Sequence, residues 1–84
     1  MKFSYKITSE FGLHGRASAK IVDKCREFKS NISIVYNGKI GGANSLLSLV
    51  SLEVKQGDTV NVIIDGEDEC LAYYGLRIFF EENF

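Results

Sequence analysis

The stretch Ile32-Ser33-Ile34-Val35-Tyr36-Asn37-Gly38-Lys39-Ile40-Gly41-Gly42-Ala43 decides the fold class of this chain. Ile32, Ile34 and Tyr36 recur with a period of two, the pattern of a strand with one buried face. Asn37-Gly38 is the dipeptide most typical of a tight two-residue hairpin, so Lys39 to Ala43 is predicted to return antiparallel. An antiparallel pair points to an α+β two-layer fold with helices on one sheet face. It argues against a doubly wound parallel sheet.

Upstream of the hairpin, residues 2–8 alternate and place Phe3, Tyr5 and Ile7 on one side of a first strand. From Arg16 to about Phe28, apolar Ala19, Val22, Cys25 and Phe28, with Ile21 beside them, follow helical spacing, while Lys20, Asp23, Lys24 and Glu27 fill the other face. Downstream, Leu46, Leu49 and Val50 share a face of a short helix in residues 46–52, with Ser45 or Asn44 as its N-cap. Lys55-Gln56-Gly57-Asp58 reads as a turn. The β-branched run 59–65 follows as a strand that turns Val60, Val62 and Ile64 to one side. Acidic Glu67, Asp68 and Glu69 open a final helix in which Leu71, Tyr74, Gly75, Ile78 and Phe79 form the expected inward stripe. The order is strand, helix, strand, strand, helix, strand, helix (βαββαβα), without repeat or linker.

At 84 residues the chain fits one small domain, residues 1–84, with a modest core. Its 45% hydrophobic and 25% charged residues are those of a folded globular protein. Ten basic side chains against eleven acidic ones leave no cationic excess for nucleic acid, so a protein or a small anion is the expected partner. No segment approaches the length of a membrane span, and the first residues lack the apolar run of a signal peptide, which makes the cytoplasm the expected location. Cys25 and Cys70 lie in helix-like segments with apolar neighbours and read as buried, reduced thiols. With a single histidine they also fail the spacing of a zinc site, so neither metal nor cofactor is assigned.

That histidine, His14, stands in Phe11-Gly12-Leu13-His14-Gly15-Arg16-Ala17-Ser18-Ala19, where a glycine-rich turn feeds a helix. A helix start offers unpaired backbone N–H groups and the positive end of the peptide dipole, which together hold an anion. Arg16 adds a fixed cation, and an arginine there opposes the dipole unless an anion joins it. Imidazole is the side-chain type that keeps a neutral, nucleophilic nitrogen available near neutral pH.

The run Gly12-Leu13-His14-Gly15-Arg16 resembles the active-site signature of the HPr family, the histidine phosphocarriers of the bacterial phosphoenolpyruvate:sugar phosphotransferase system. The Asn37-Gly38 hairpin, the segment 45–52, the Gly57-Asp58 turn and the segment 65–69 follow in HPr-like order, so the resemblance spans nearly the whole chain. It implies an open-faced sandwich of four antiparallel strands with three helices on one side. It also implies that enzyme I phosphorylates His14 at Nδ1 and that the phosphoryl group passes to sugar-specific enzyme IIA domains. The protein is then a carrier in a phosphotransfer chain, not an enzyme. Arg16 would offset the phosphoryl charge, and backbone N–H groups near Arg16 and Ala17 would orient its oxygens.

Two residues depart from the family pattern: Gly15 stands where alanine is usual, and Ala17 where proline is usual. The chain has no proline at all. Without it the helix start is less preorganised but gains a possible donor, so altered transfer kinetics are expected, with function retained. The resemblance also brings forward Ser45, which matches the serine that an ATP-dependent HPr kinase/phosphorylase modifies in Gram-positive relatives. Its phosphate would lie near a docking surface formed by Leu46, Leu47 and Val50, hindering enzyme I or recruiting a catabolite-control regulator. Ser48, Leu47 and Val50 replace the glycine and methionines usual in that segment. The alternative functions are an HPr-like regulatory protein, of a non-sugar phosphotransferase branch or of catabolite control, and a small domain whose turn binds an anion without covalent chemistry.

Overall fold

Asn37 and Gly38 both take positive φ, 51° and 79°, as a two-residue hairpin turn requires. Around them a computed structural model, which describes all residues Met1–Phe84, arranges β1 Lys2–Lys6, α1 Gly15–Cys25, β2 Asn31–Tyr36, β3 Lys39–Gly42, α2 Leu46–Val50, β4 Thr59–Asp65 and α3 Glu69–Asn83. The strands form one sheet in the order β1-β4-β2-β3 with every neighbouring pair antiparallel. In the hairpin Tyr36 lies opposite Lys39 and Val35 opposite Ile40. This is the α+β open-faced sandwich expected from the sequence.

The alternation in β4 sorts the two sheet faces. Val60, Val62 and Ile64 are fully buried, whereas Thr59, Asn61, Ile63 and Asp65 are exposed on the uncovered side. Phe3 and Ile7 are buried from β1 and the residues after it, and Ile32 and Ile34 from β2; Ile21, Val22 and Cys25 complete the core from α1. Phe80 is its largest fully buried side chain, packing edge-on against Phe3, Tyr5 and Phe84 at ring separations of 5.9, 5.6 and 5.2 Å. No helix is long and apolar enough to cross a membrane.

Three expectations are corrected. In α3 the buried residues are Ala72, Leu76 and Phe80, while Leu71, Tyr74 and Ile78 face outward; of the expected inward stripe, Gly75 and Phe79 are half-buried. Apolar residues surround most of this helix, so periodicity alone does not choose a face, and the Phe80 contacts do. Helix α1 ends at Cys25, short of Phe28, because Glu27 and Phe28 donate to Lys24 and Cys25 in tighter turns. Both cysteines are free, but only Cys25 is buried, and burial pushes its thiol up to about 12; Cys70 is exposed.

Acidic residues do open α3, but Asp68 is turned away from it. Its carboxylate accepts the backbone N–H of Lys29 at 2.8 Å, that of Ser30 at 2.9 Å, and the Ser30 hydroxyl. These bonds, the Ser30 hydroxyl foremost, hold Asp68 below the ordinary carboxylate value. They tie the segment entering β2 to the start of α3.

Candidate functional site

The loop ahead of α1 is set by Gly12. Its φ is +61°, and a Cβ there would lie 2.3 Å from the Val54 carbonyl oxygen, so only glycine fits. That close approach lets Leu13 N–H donate to the same oxygen at 3.1 Å while the Leu13 side chain is buried. The buried Ser18 hydroxyl donates back to the Leu13 carbonyl at 3.0 Å. Sequence reasoning missed Ser18 as a brace of the turn, although a serine within an apolar helical stripe was a visible anomaly.

His14 is left as the N-cap of α1, with extended backbone (φ −76°, ψ −175°) and no capping hydrogen bond from its side chain. The first helical bond runs from Ser18 N–H to the His14 carbonyl at 2.8 Å, so the N–H groups of Gly15, Arg16 and Ala17 have no backbone acceptor. No acidic residue occupies the first turn. Arg16 and, one turn later, Lys20 are exposed and engaged in no ion pair. The structure thus brings His14, Arg16 and the backbone of Arg16 and Ala17 together on a single turn.

These groups border a depression of about 360 Å³ that also includes Phe11 and, from the end of α3, Asn83 and Phe84. The Phe84 main-chain oxygen anchors that end to the loop, accepting from the N–H groups of Thr8 and Ser9 at 2.6 and 2.9 Å and from the Thr8 hydroxyl at 3.0 Å. This long-range tie left no signal in the sequence. A second depression, about 400 Å³ and lined by Cys25 and Ala43 among others, contains none of the His14 groups.

Chemically, the turn sets an exposed imidazole beside three backbone donors, the positive end of a helix and an unpaired guanidinium. That arrangement can bind a dianionic phosphoryl group and offers it a nitrogen nucleophile. Ser9 and Lys20 also line the depression, and His14 is its only imidazole.

The remaining candidates lie on α2. Ser45 caps this helix, its Oγ accepting from Ser48 N–H at 3.3 Å. Leu46 and Leu47 are exposed (45% and 75%), Val50 is half-buried, and Leu49 and Leu52 belong to the core. The predicted common face of Leu46, Leu49 and Val50 is therefore divided, with Leu49 turned inward and Leu46 outward.

The chain matches the family described as the PTS HPr component phosphorylation site over residues 1–82. It is 40% identical over 77 residues to the phosphocarrier protein HPr of Buchnera aphidicola, covering 92% of this chain and 91% of the relative. Against that of Xylella fastidiosa it is 38% identical over 78 residues, covering 93% and 88%. Among solved structures, HPr-C-His from Thermoanaerobacter tengcongensis superimposes with a TM-score of 0.90 at 31% identity, covering 96% of this chain and 91% of that one. A match along nearly the whole chain, joined to a histidine at the mouth of an unpaired helix start, assigns the chain to the HPr family, the phosphocarriers of the phosphotransferase system.

Proposed function

We propose that residues 1–84 act as one domain in the cytoplasm, where His14 accepts a phosphoryl group from phosphorylated enzyme I and hands it to enzyme IIA domains. The observation that carries this reading is the free His14 imidazole at the N-cap of α1, beside backbone N–H groups that lack acceptors. In the forward step the Nδ1 lone pair forms the N–P bond as the donor's bond to phosphorus breaks, and the second transfer reverses the roles. Nδ1 is the ring nitrogen nearer the main chain, which favours phosphoryl contact with the N–H groups of Arg16 and Ala17. Arg16 offsets the oxygen charge. The chain is a consumed and regenerated carrier, not an enzyme with its own turnover. Exposed Leu46 and Leu47, flanked by Val50, supply the apolar part of the docking surface.

Regulation by phosphorylation of Ser45 is the second reading, and its capping position favours it. A phosphate there would meet the N-terminus of α2 and set negative charge beside Leu46 and Leu47. The proposed agents are HPr kinase/phosphorylase and a catabolite-control regulator. Mass spectrometry after treatment with the kinase and ATP is expected to find the phosphate on Ser45; modification only at Ser48 or Ser51 would contradict this.

Incubation with enzyme I and labelled phosphoenolpyruvate tests the main reading. The expected product is an acid-labile, alkali-stable phosphoprotein that His14→Ala does not form. Non-covalent phosphate binding without label would leave only the anion-binding reading.

A further inference from the structure

Helix α3 carries an apolar row that the core does not use. Leu71, Tyr74 and Ile78 are 68%, 63% and 57% exposed. Their spacing of three and four sets them along one side of the helix, opposite Ala72, Leu76 and Phe80. Single exposed apolar side chains are ordinary on any surface, but these three form a contiguous stripe over two turns.

The stripe has acidic ends. Glu67 lies in the turn that precedes α3, and Glu81 and Glu82 lie three and four residues after Ile78, all exposed. Glu81 and Glu82 have no ion-pair partner, and Glu67 has only an exposed 3.4 Å contact with Lys29. The one cation of α3, Arg77, is drawn aside over the Tyr73 ring at 5.5 Å and donates from Nη1 to its hydroxyl at 3.2 Å. The turn that presents His14 has the opposite sign, with Arg16 and Lys20 unpaired.

We propose that the outward face of α3 docks a basic amphipathic helix of a partner protein. Its apolar side chains, at three- and four-residue spacing, would cover Leu71, Tyr74 and Ile78, and lysines or arginines at its two ends would meet Glu67, Glu81 and Glu82. Charge argues against a symmetric α3–α3 dimer, because pairing α3 with α3 in either direction sets acid against acid. The same acids repel an anionic lipid surface. Three side chains make a small contact, which fits transient binding. Leu71, Tyr74, Ile78 and the three acids do not line the His14 depression, which α3 reaches only through Asn83 and Phe84, so the proposal does not require the phosphocarrier reading.

The test titrates isotope-labelled protein, followed by amide chemical shifts, with a synthetic peptide of about 18 residues bearing leucines at helical spacing and lysines at both ends. A second peptide carries glutamates in place of the lysines. The lysine peptide is expected to saturate in the range of about 0.1 to 1 mM, with shifts confined to α3 and affinity falling as salt is added. Tyr74→Ser is expected to weaken it at least about tenfold, and the double variant Glu81→Lys, Glu82→Lys roughly tenfold, with both variants folded by circular dichroism. No saturable shift, equal binding of the glutamate peptide, or shifts centred on α1 or α2 would overturn the proposal. So would concentration-dependent dimerisation, or sedimentation with phosphatidylcholine vesicles, that Leu71→Lys abolishes.

Discussion

Replacing Gly12 with alanine is expected to destabilise the whole protein through the loop that presents His14. Holding a non-glycine residue at φ +61° costs about 1–2 kcal/mol. The new Cβ would lie 2.3 Å from the Val54 oxygen, against roughly 3.5 Å for an ordinary contact, so the loop must retreat by about an ångström. Retreat breaks the 3.1 Å bond from Leu13 N–H to Val54, worth about 0.5–1.5 kcal/mol. Against these stands a gain of about 0.4–1 kcal/mol from a stiffer unfolded chain, leaving a net loss of about 1–3 kcal/mol. In a chain of this size that lowers the thermal midpoint on the order of 5 to 20 °C. Gly15→Ala is the matched control: its Cβ would meet nothing within 4 Å, and its φ is not positive. It is expected to be stabilising by up to about 1 kcal/mol. Urea unfolding followed by circular dichroism orders the three proteins. A Gly12→Ala variant within about 0.5 kcal/mol of the parent, or a Gly15→Ala variant as unstable as Gly12→Ala, would refute the reasoning.

Phe80→Ala is expected to cost about 3–5 kcal/mol in the same assay, since the ring is fully buried and meets Phe3, Tyr5 and Phe84 edge-on. Asp68 is held below its ordinary value of 3.8, so the stability it contributes is complete above that pH and is lost as pH falls through the lower folded-state value. The urea midpoint of Asp68→Asn should accordingly change less steeply than that of the parent across that acid range. Arg16→Ala should still accept phosphate from enzyme I but roughly 10- to 100-fold more slowly in rapid-quench assays. Ala17→Pro removes an N–H that has no backbone acceptor; the variant should fold and should alter the transfer rate without abolishing transfer.

Wherever local pattern and tertiary demand coincide, the residues announce their place. Val60, Val62 and Ile64 alternate because one sheet face is covered, and Asn37-Gly38 turns because both residues tolerate positive φ. His14 and Arg16 are legible for the same reason, since their relation is set within one turn of α1. In helix α3, Leu71, Tyr74 and Ile78 match helical spacing as well as Ala72, Leu76 and Phe80 do, so spacing alone does not choose the buried face. The choice between the two faces rests on rings contributed by β1, more than seventy residues away in sequence. The seat of Gly12 against Val54, the Asp68 bonds to Lys29 and Ser30, and the anchoring of Phe84 by Thr8 and Ser9 are likewise long-range, and no local pattern encodes them. Ser45 is intermediate: its capping role is local and was readable, whereas the division of its leucine neighbours between core and surface depended on where α2 packs.

Nitrogen-15 NMR of the histidine ring, recorded before and after reaction with enzyme I and phosphoenolpyruvate, addresses the chemistry of His14 directly. One phosphoryl group per chain, attached to Nδ1 and discharged on adding an enzyme IIA domain, is the expected result. An unchanged ring spectrum under conditions where enzyme I is itself phosphorylated, or phosphate on a hydroxyl instead of the imidazole, would contradict it.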